Sequence, residues 1–277
     1  MTAGVVIVNW NTGRFLQTCV ESLFQTAPTA EVVVVDNAST DGSLELIDSF
    51  RDRIHIVRNS ANLGFAAGVN QGFASTTSPY VLILNPDIRV QPDAVSLLMK
   101  ILSGNSKAGA IGGYVNDDYL PRPFPGVASL IRENLGFRRK PVNSAVPGLV
   151  DQPAAAALMV RRDAFEEIGG FDEQFFPAWY EDVDFCRRLK SAGWDIYFAP
   201  DAQFEHEGGY SAAALGPKAF AEAYYHNQIR YAQKHLGGWG RLAVRISIVA
   251  GMLARMVLRP RNAGAYAGVI FGALGGW

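Results

Sequence analysis

Residues 4–36 read GVVIVNWNTGRFLQTCVESLFQTAPTAEVVVVD, and the order of patterns inside this stretch decides the fold. Val5 to Val8 is a β-branched run, Phe15, Leu16, Cys19, Val20 and Leu23 recur at helical spacing, and Val32 to Val35 is β-branched again. That order predicts a strand, a helix and a second strand. A run that is apolar at every position, not at alternate ones, belongs to a strand covered on both faces, as in parallel sheets wrapped by helices. The rhythm continues downstream. Asp41-Gly42-Ser43 supplies turn and cap residues for a helix over Leu44 to Phe50, Ile54 to Val57 reads as a short strand, Ala66 to Ala74 as a helix and Tyr80 to Leu84 as a fourth strand. The front half is expected to be an open, doubly wound, mostly parallel α/β sheet.

Residues Asp117 to Pro153 break the rhythm. They carry Pro121, Pro123, Pro125, Pro141, Pro147 and Pro153 and the basic group Arg138-Arg139-Lys140, and read as a long mobile loop. Regular structure is expected to resume at Ala154 to Val160, with a helix near Arg162 to Ile168, a turn at Gly169-Gly170, a helix over Asp182 to Ala192 and a strand at Ile196 to Phe198. With 277 residues, 49% hydrophobic and 18% charged, the chain holds enough apolar material for one large core or two smaller ones, and disordered and fibrous classes are excluded. Cys19 and Cys186 lie far apart within helical patterns, which suggests reduced buried thiols and a cytoplasmic setting. Gly4 to Val8 is too short for a secretory leader and runs into polar Asn9.

The net charge of −1 conceals an asymmetry. Up to Pro217 there are 17 basic and 25 acidic residues, a balance of −8, whereas from Lys218 onward 8 basic residues face Glu222 alone, a balance of +7. We therefore expect residues 1–216 to form one domain, with halves of about 1–115 and 154–216, and 217–277 to be a basic helical extension. A nucleic-acid partner is not expected.

Ligands of open α/β sheets bind at the carboxyl ends of the strands. Here those ends are Asn9-Trp10-Asn11, Asp36-Asn37-Ala38-Ser39 and Asn85-Pro86-Asp87. Each alone is equally a turn, but three polar ends in succession point to one shared crevice. The glycine pattern of a dinucleotide site is missing after the first strand, as is a P-loop, which disfavours dehydrogenases and P-loop phosphotransferases. Asp36 is suited to accept from a ribose hydroxyl or a base N–H. Asn62-Leu63-Gly64-Phe65-Ala66 opens a helix whose backbone N–H groups are able to meet a phosphate. Asp87 at a strand end is a candidate ligand for Mg²⁺ or Mn²⁺, and His206 is either a further ligand or a structural histidine. Further on, Trp179-Tyr180-Glu181-Asp182-Val183-Asp184 packs three carboxylates into four positions beside aromatic rings. An acidic helix start is one reading; a sugar-binding cleft with a general base is the other, with Asp182 as base, Glu181 orienting it and Asp184 either capping the helix or pairing with Arg187 or Arg188.

These motifs, with Gly169-Gly170-Phe171-Asp172-Glu173 and His206-Glu207-Gly208-Gly209-Tyr210-Ser211, follow the order seen in inverting glycosyltransferases of the GT-A fold, family two. Over residues 4 to 211 the chain resembles the rhamnosyltransferase-type members. The resemblance implies a nucleotide-diphospho-sugar transferase fold with a C-terminal helical extension. It implies that Asp36 contacts the nucleoside, that Asp87 holds a divalent cation on the diphosphate with His206 completing its shell, and that Asp182 deprotonates the acceptor hydroxyl. Asn85 stands where many relatives have the first aspartate of an Asp-x-Asp motif. The expected donor-binding set is Asn9, Asn11, Asp36, Asn37, Asn62, Gly64, Phe65, Asn70 and Asn85, with Trp179, Tyr180, Gly170 and Phe171 toward the acceptor. dTDP-rhamnose is the candidate donor. A nucleotidyltransferase, or a non-catalytic nucleotide-sugar-binding module, would share the sheet and the carboxylates, but the first wants a basic glycine-rich loop after strand one and the second has no use for Asp182.

In the extension, Arg241, Arg245, Arg255, Arg259 and Arg261 surround the apolar run Ile246 to Ala254, and Ala263 to Trp277 is uncharged. Neither run reaches the roughly 20 residues of a spanning helix. A basic helix lying on the inner face of the cell membrane, with Ile246, Val249, Leu253 and Val257 toward acyl chains, is the expectation, and a glycan on a polyprenyl diphosphate would then be the acceptor. Packing on the catalytic domain and a homodimer contact are the alternatives.

Overall fold

The computed structural model describes residues 2–137, 147–206 and 210–277. The opening stretch forms β1 (Gly4–Asn9), α1 (Arg14–Thr26) and β2 (Glu31–Asp36), with β2 parallel to β1. β3 (Ile54–Arg58) adds parallel to β2, and β4 (Tyr80–Leu84) parallel to β1 on its other side. The expected helix over residues 44–50 is a 3-10 helix at Glu45–Arg53; Asp48, Ser49 and Asp52 are poor helix formers, and only Ile47 within it is buried. α2 (Phe65–Ala74) lies on the sheet so closely that a Cβ on Gly68 or Gly72 would come within 2.7 Å of Val8 Cγ1 or 2.2 Å of Val6 Cγ1.

Alternate residues of the central strands feed opposite cores. Val5, Ile7, Val32, Val34, Leu82 and Leu84 pack with α1 and with α3 (Ala94–Gly104). Val6, Val8, Val33, Val35, Val81 and Ile83 pack with α2, α5 (Arg162–Glu167) and α6 (Glu181–Ser191). This two-sided burial is why the strands are apolar at every position, each buried Val or Ile contributing roughly 1.5–3 kcal/mol.

Three elements went unread in the sequence: α3, β5 (Ile88–Val90) and β6 (Ala108–Tyr114). β6 is AGAIGGY, too rich in glycine and alanine to show a strand pattern. The last strand is also longer than expected: β9 runs Asp195–His206, parallel to β6 through its first half and antiparallel to β5 through its end. β8 (Ala157–Arg161) is antiparallel to both β4 and β6, so the sheet is mixed, in the order β3-β2-β1-β4-β8-β6-β9-β5.

The segment read as a loop is built in part. It holds a 3-10 turn at Asp117–Tyr119, α4 (Val127–Asn134), β7 (Gly148–Leu149) paired to β9, and a bridge between Arg122 and Gln152. Arg138-Arg139-Lys140 lies outside the described residues. α4 forms because Leu130 and Asn134 have a surface to bury against, which the local proline content does not reveal.

That surface is the extension. α7 (Tyr210–His235, broken at Gly216-Pro217), α8 (Gly237–Leu258) and α9 (Ala263–Phe271) pack on one another and on α4. Val244, Ile248 and Met252 of α8 join Leu130, Phe175, Tyr180 and Val183 in a third core. The expected lipid-facing row is thus corrected in part: Val249 packs against that core, while Ile246, Leu253 and Val257 are exposed at 60%, 53% and 82%. No helix among the described residues is long and apolar enough to cross a membrane.

Candidate active site

A cleft of about 380 Å³ opens at the C-terminal ends of β1, β2 and β4, lined there by Trp10, Thr12, Asn37, Asn85 and Asp87 and closed on the other side by Trp179 to Val183. The position is the one strand order dictates, and the volume suits a nucleotide-sized ligand.

Asp87 and His206 meet although 119 positions separate them. The pairing of β5 with β9 sets Ile88 opposite His206, which brings His206 Nε2 to 3.2 Å from Asp87 Oδ2 and 3.2 Å from Tyr119 Oη. Asp87 Oδ1 is buried without a hydrogen-bond partner. Such an orphaned carboxylate oxygen is costly unless a cation or donor meets it. The described lining carries Asp87, Asp118, Glu181 and Asp182 against Arg122 and His206, an excess of acid whose repulsion of a diphosphate a cation would offset. The residues therefore fit a divalent ion.

The donor-side residues divide into lining and support. Asn37, Asn62, Phe65 and Asn85 line the cleft. Asn9 does not. Its Nδ2 donates to Asp36 Oδ1 at 2.8 Å, to Ser43 Oγ at 2.9 Å and to Ser39 Oγ at 3.1 Å, so this fully buried amide holds Asp36 in place. Asp36 is itself buried and also accepts from the Ser39 N–H. Asn11, at φ 52°, accepts from the Thr40 N–H and ties the two strand-end loops together. Gly64 has φ 87°, and a Cβ there would stand 3.0 Å from the Pro177 carbonyl oxygen; its own carbonyl accepts from Asn37 Nδ2. Asn70 leaves the cleft altogether, bonding Phe171 N–H and C=O and Glu173.

On the acceptor side, Gly170 and Phe171 are corrected from ligand contacts to packing: Phe171 is 2% exposed, stacks on Phe185 at 4.2 Å and meets Phe65 edge-on. Trp179 and Tyr180 line the cleft at φ 76° and 73°, a backbone that costs L residues of order 1–3 kcal/mol each and persists only where the surroundings enforce it. The enforcement comes from α7. Asn227 Nδ2 donates to the carbonyls of Ala178 and Phe176, and Gln228 Nε2 to Tyr180 Oη.

This brace sets the start of α6. Asp182 Oδ1 accepts from its neighbour's N–H at 2.8 Å and Oδ2 faces Ala155 N–H at 3.4 Å across the cleft. Glu181 is buried, its Oε2 lacks a partner, and burial, reinforced by the Asp182 charge, pushes its carboxyl well above the ordinary range. Asp184 points away. It pairs with Arg188 at 2.7 Å, as expected, and also with His235 at 2.7 Å and Lys234 at 2.9 Å of α7, while Arg187 donates instead to Tyr231. Burial works to raise the Asp184 carboxyl, but the His235 hydrogen bond and the Arg188 and Lys234 cations outweigh it and hold it at about 2.

Sequence reasoning placed Trp10 at a strand end without assigning it a contact and missed Thr12, Tyr119, Arg122 and Gln152, all in the lining. The one signal for the last three is Asp117-Asp118-Tyr119 and Gln152 bounding the proline-rich stretch; the bridge that joins them is tertiary.

Two family models match the chain: Glycosyl transferase family 2 over residues 4–169, and Glycosyl transferase family group 2 over residues 126–274. The N-acetylglucosaminyl-diphospho-decaprenol L-rhamnosyltransferase of Mycobacterium tuberculosis is 28% identical, covering 93% of this chain and 92% of that protein. The rhamnosyltransferase WbbL of Escherichia coli is 28% identical over 56% of this chain and 62% of its own. Among solved structures, the mannosyltransferase PcManGT from Pyrobaculum calidifontis, in complex with GDP-Man and Mn²⁺, superposes with a TM-score of 0.65 at 13% identity, covering 99% of this chain and 87% of that one. GalNAc-T7 with UDP, GalNAc and Mn²⁺ superposes with a TM-score of 0.67 at 16% identity, and the chain spans 48% of its length. At these identities the structural likeness is one of fold, the GT-A fold. With its strand-end cleft, and a family 2 model over more than half its length, the chain belongs to glycosyl transferase family 2 and is a glycosyltransferase.

Proposed function

We propose that this enzyme transfers a sugar, with inversion, from a nucleoside diphosphate to a hydroxyl of a glycan carried on a polyprenyl diphosphate. The observation that carries the reading is the convergence of Asp182 with the Asp87–His206 pair on one cleft. Asp182 accepts the acceptor proton, leaving that oxygen free to attack the anomeric carbon from the face opposite the leaving diphosphate. The Val183 N–H bond orients Asp182 Oδ1, and the Ala155 N–H, at 3.4 Å, stands opposite Oδ2. Burial, and then the Asp182 charge, raises the Glu181 carboxyl, which disfavours a second charge beside the base. Asp36, aimed by Asn9, reads the nucleoside, and Arg122 offers the diphosphate a guanidinium.

Asp87 and His206 would hold Mg²⁺ or Mn²⁺, Mn²⁺ suiting the imidazole better. When bound, that ion neutralises charge on the departing diphosphate and so replaces an acid at the leaving group.

The name of the M. tuberculosis relative carries L-rhamnose and a lipid-diphosphate acceptor, and dTDP-rhamnose is the donor we propose on that basis. A lipid-borne acceptor asks for work at the inner face of the membrane. The exposed apolar residues of α8 support a peripheral contact there.

The decisive variant is Asp182→Asn. Transfer is expected to fall by roughly 10²–10⁴-fold, while the thermal shift given by dTDP-rhamnose with Mn²⁺ or Mg²⁺ stays near wild type. Full transfer activity in that variant removes Asp182 from the chemistry.

A further inference from the structure

A second cavity, of about 410 Å³, lies between α7 and α8, away from the catalytic cleft, and is lined by Arg230, Lys234, Arg241, Arg245, His226 and Asp172 among others. Its charge is out of balance. Lys234 is taken up by Asp172 at 2.6 Å and Asp184 at 2.9 Å, whereas among the described residues no Asp or Glu side chain pairs with Arg230, Arg241 or Arg245. The Arg230 side chain donates to the neutral Gln174 amide and Arg245 Nη2 to the Trp277 carbonyl. Arg230 Nε and Arg245 Nε are buried with no partner. The crowding has an electrostatic consequence: burial and then Arg241 lower Arg245, and burial, then Arg230 and Arg245, lower His226. The one carboxylate side chain in this lining, Asp172, is held by Lys234, so three guanidiniums face the cavity without a carboxylate side chain of their own, a set that an entering anion would complete.

The surroundings say which anion. On α8 an apolar stripe runs through Trp239, Leu242, Ile246, Leu253 and Val257, exposed at 85%, 47%, 60%, 53% and 82%. These positions recur at helical spacing and share one face. Arg241 and Arg245 each stand one residue before Leu242 and Ile246, about 100° round the helix, on the flank of that stripe. A guanidinium pair bordering an exposed apolar row is the arrangement that meets a phosphate with acyl chains beneath it. We propose that this cavity binds the phosphate of an anionic lipid headgroup, docking α8 on the membrane in one orientation. The inference rests on the peripheral contact proposed above and adds its chemical specificity.

Co-sedimentation with vesicles of phosphatidylcholine, alone and mixed with phosphatidylglycerol, tests it. The wild type is expected to partition mainly into the mixed vesicles. R241Q/R245Q is expected to lose about thirtyfold in partitioning, roughly fivefold per arginine, while R241K/R245K, which keeps the charge, retains most of it and guards against misfolding as the cause. I246S/L253S is expected to weaken binding to both vesicles. Binding of R241Q/R245Q equal to wild type overturns the headgroup site, and if I246S/L253S is lost in the same series, the membrane contact itself stands. A wild type that sediments with neither vesicle overturns both. Inorganic phosphate alone raising the melting temperature of wild type but not of R241Q/R245Q, without phosphatidylglycerol selectivity, assigns the cavity to a free phosphate and overturns the lipid reading. A wild type that dimerises and an I246S/L253S variant that does not, with no vesicle binding, assign the stripe to self-association and overturn it as well.

Discussion

Asp184 is the joint between the catalytic helix and the extension, and its replacement by asparagine gives a graded test. The carboxylate is fully buried and held at about 2, against 3.8 in an unfolded chain, by His235, Arg188 and Lys234 once burial has been overcome. The sign follows from that order: with the folded value depressed, the ionised group stabilises the fold above about pH 4, and the contribution is lost as pH falls through about 2. A depression of this size amounts to about 2 kcal/mol at neutral pH and about 1 kcal/mol near pH 3. Asp184→Asn mimics the protonated acid in shape, so the variant should be less stable than wild type by about 2 kcal/mol near pH 7, a fall of roughly 4–8 °C in melting temperature. Urea unfolding of both proteins across the acid range measures the gap directly. The gap should shrink as pH falls, because wild type loses there what the variant never had. A gap that stays constant from neutral pH to pH 3 would refute the electrostatic account and leave a packing defect in its place. Since α7 also carries Asn227 and Gln228, which hold Ala178 and Tyr180, the variant should also lose transfer activity before it unfolds.

Glu181→Gln should behave in the opposite sense. A carboxyl raised by burial makes the wild type less stable as pH climbs toward its folded value, so the amide is expected to be at least as stable as wild type at pH 8 by calorimetry, with transfer activity largely kept; activity lost as fully as in Asp182→Asn would assign Glu181 the base. Gly251→Ala places a Cβ 2.1 Å from the Asn134 carbonyl oxygen, and the overpacking is expected to loosen α8 from α4 at a cost of about 1–3 kcal/mol. Hydrogen exchange localised to α8 and α4 reports it, and unchanged protection there argues against that interface.

The parallel βαβ core was legible because its signal is local and redundant: Val5 to Val8, Val32 to Val35 and Tyr80 to Leu84 are apolar at every position, and nothing but a doubly covered strand uses such a run. The strand-end residues were legible as a group for the same reason, since topology places the ends of neighbouring parallel strands side by side. The division of labour among them was not. Asn9 and Asn37 look alike in sequence, but Asn9 spends its amide on Asp36 while Asn37 lines the cleft, and only the packing around each distinguishes a ligand from a strut. Gly170 and Phe171 follow the same logic, as their place between Asn70 and Phe185 is set by contacts about a hundred residues apart in one case.

What the sequence by itself determined is what depends on period and composition: a covered parallel sheet, acidic residues at its carboxyl edge and a basic, helical end. What only the tertiary structure decided is what depends on distant chains meeting. The pairing of β5 with β9 brings His206 to Asp87, the Arg122–Gln152 bridge turns a proline-rich stretch into a cleft wall, and α7 forces Trp179 and Tyr180 into a backbone they would not adopt alone. In each case the deciding free energy comes from burial and hydrogen bonds between segments far apart in the chain, and such contacts leave no periodic trace in either partner.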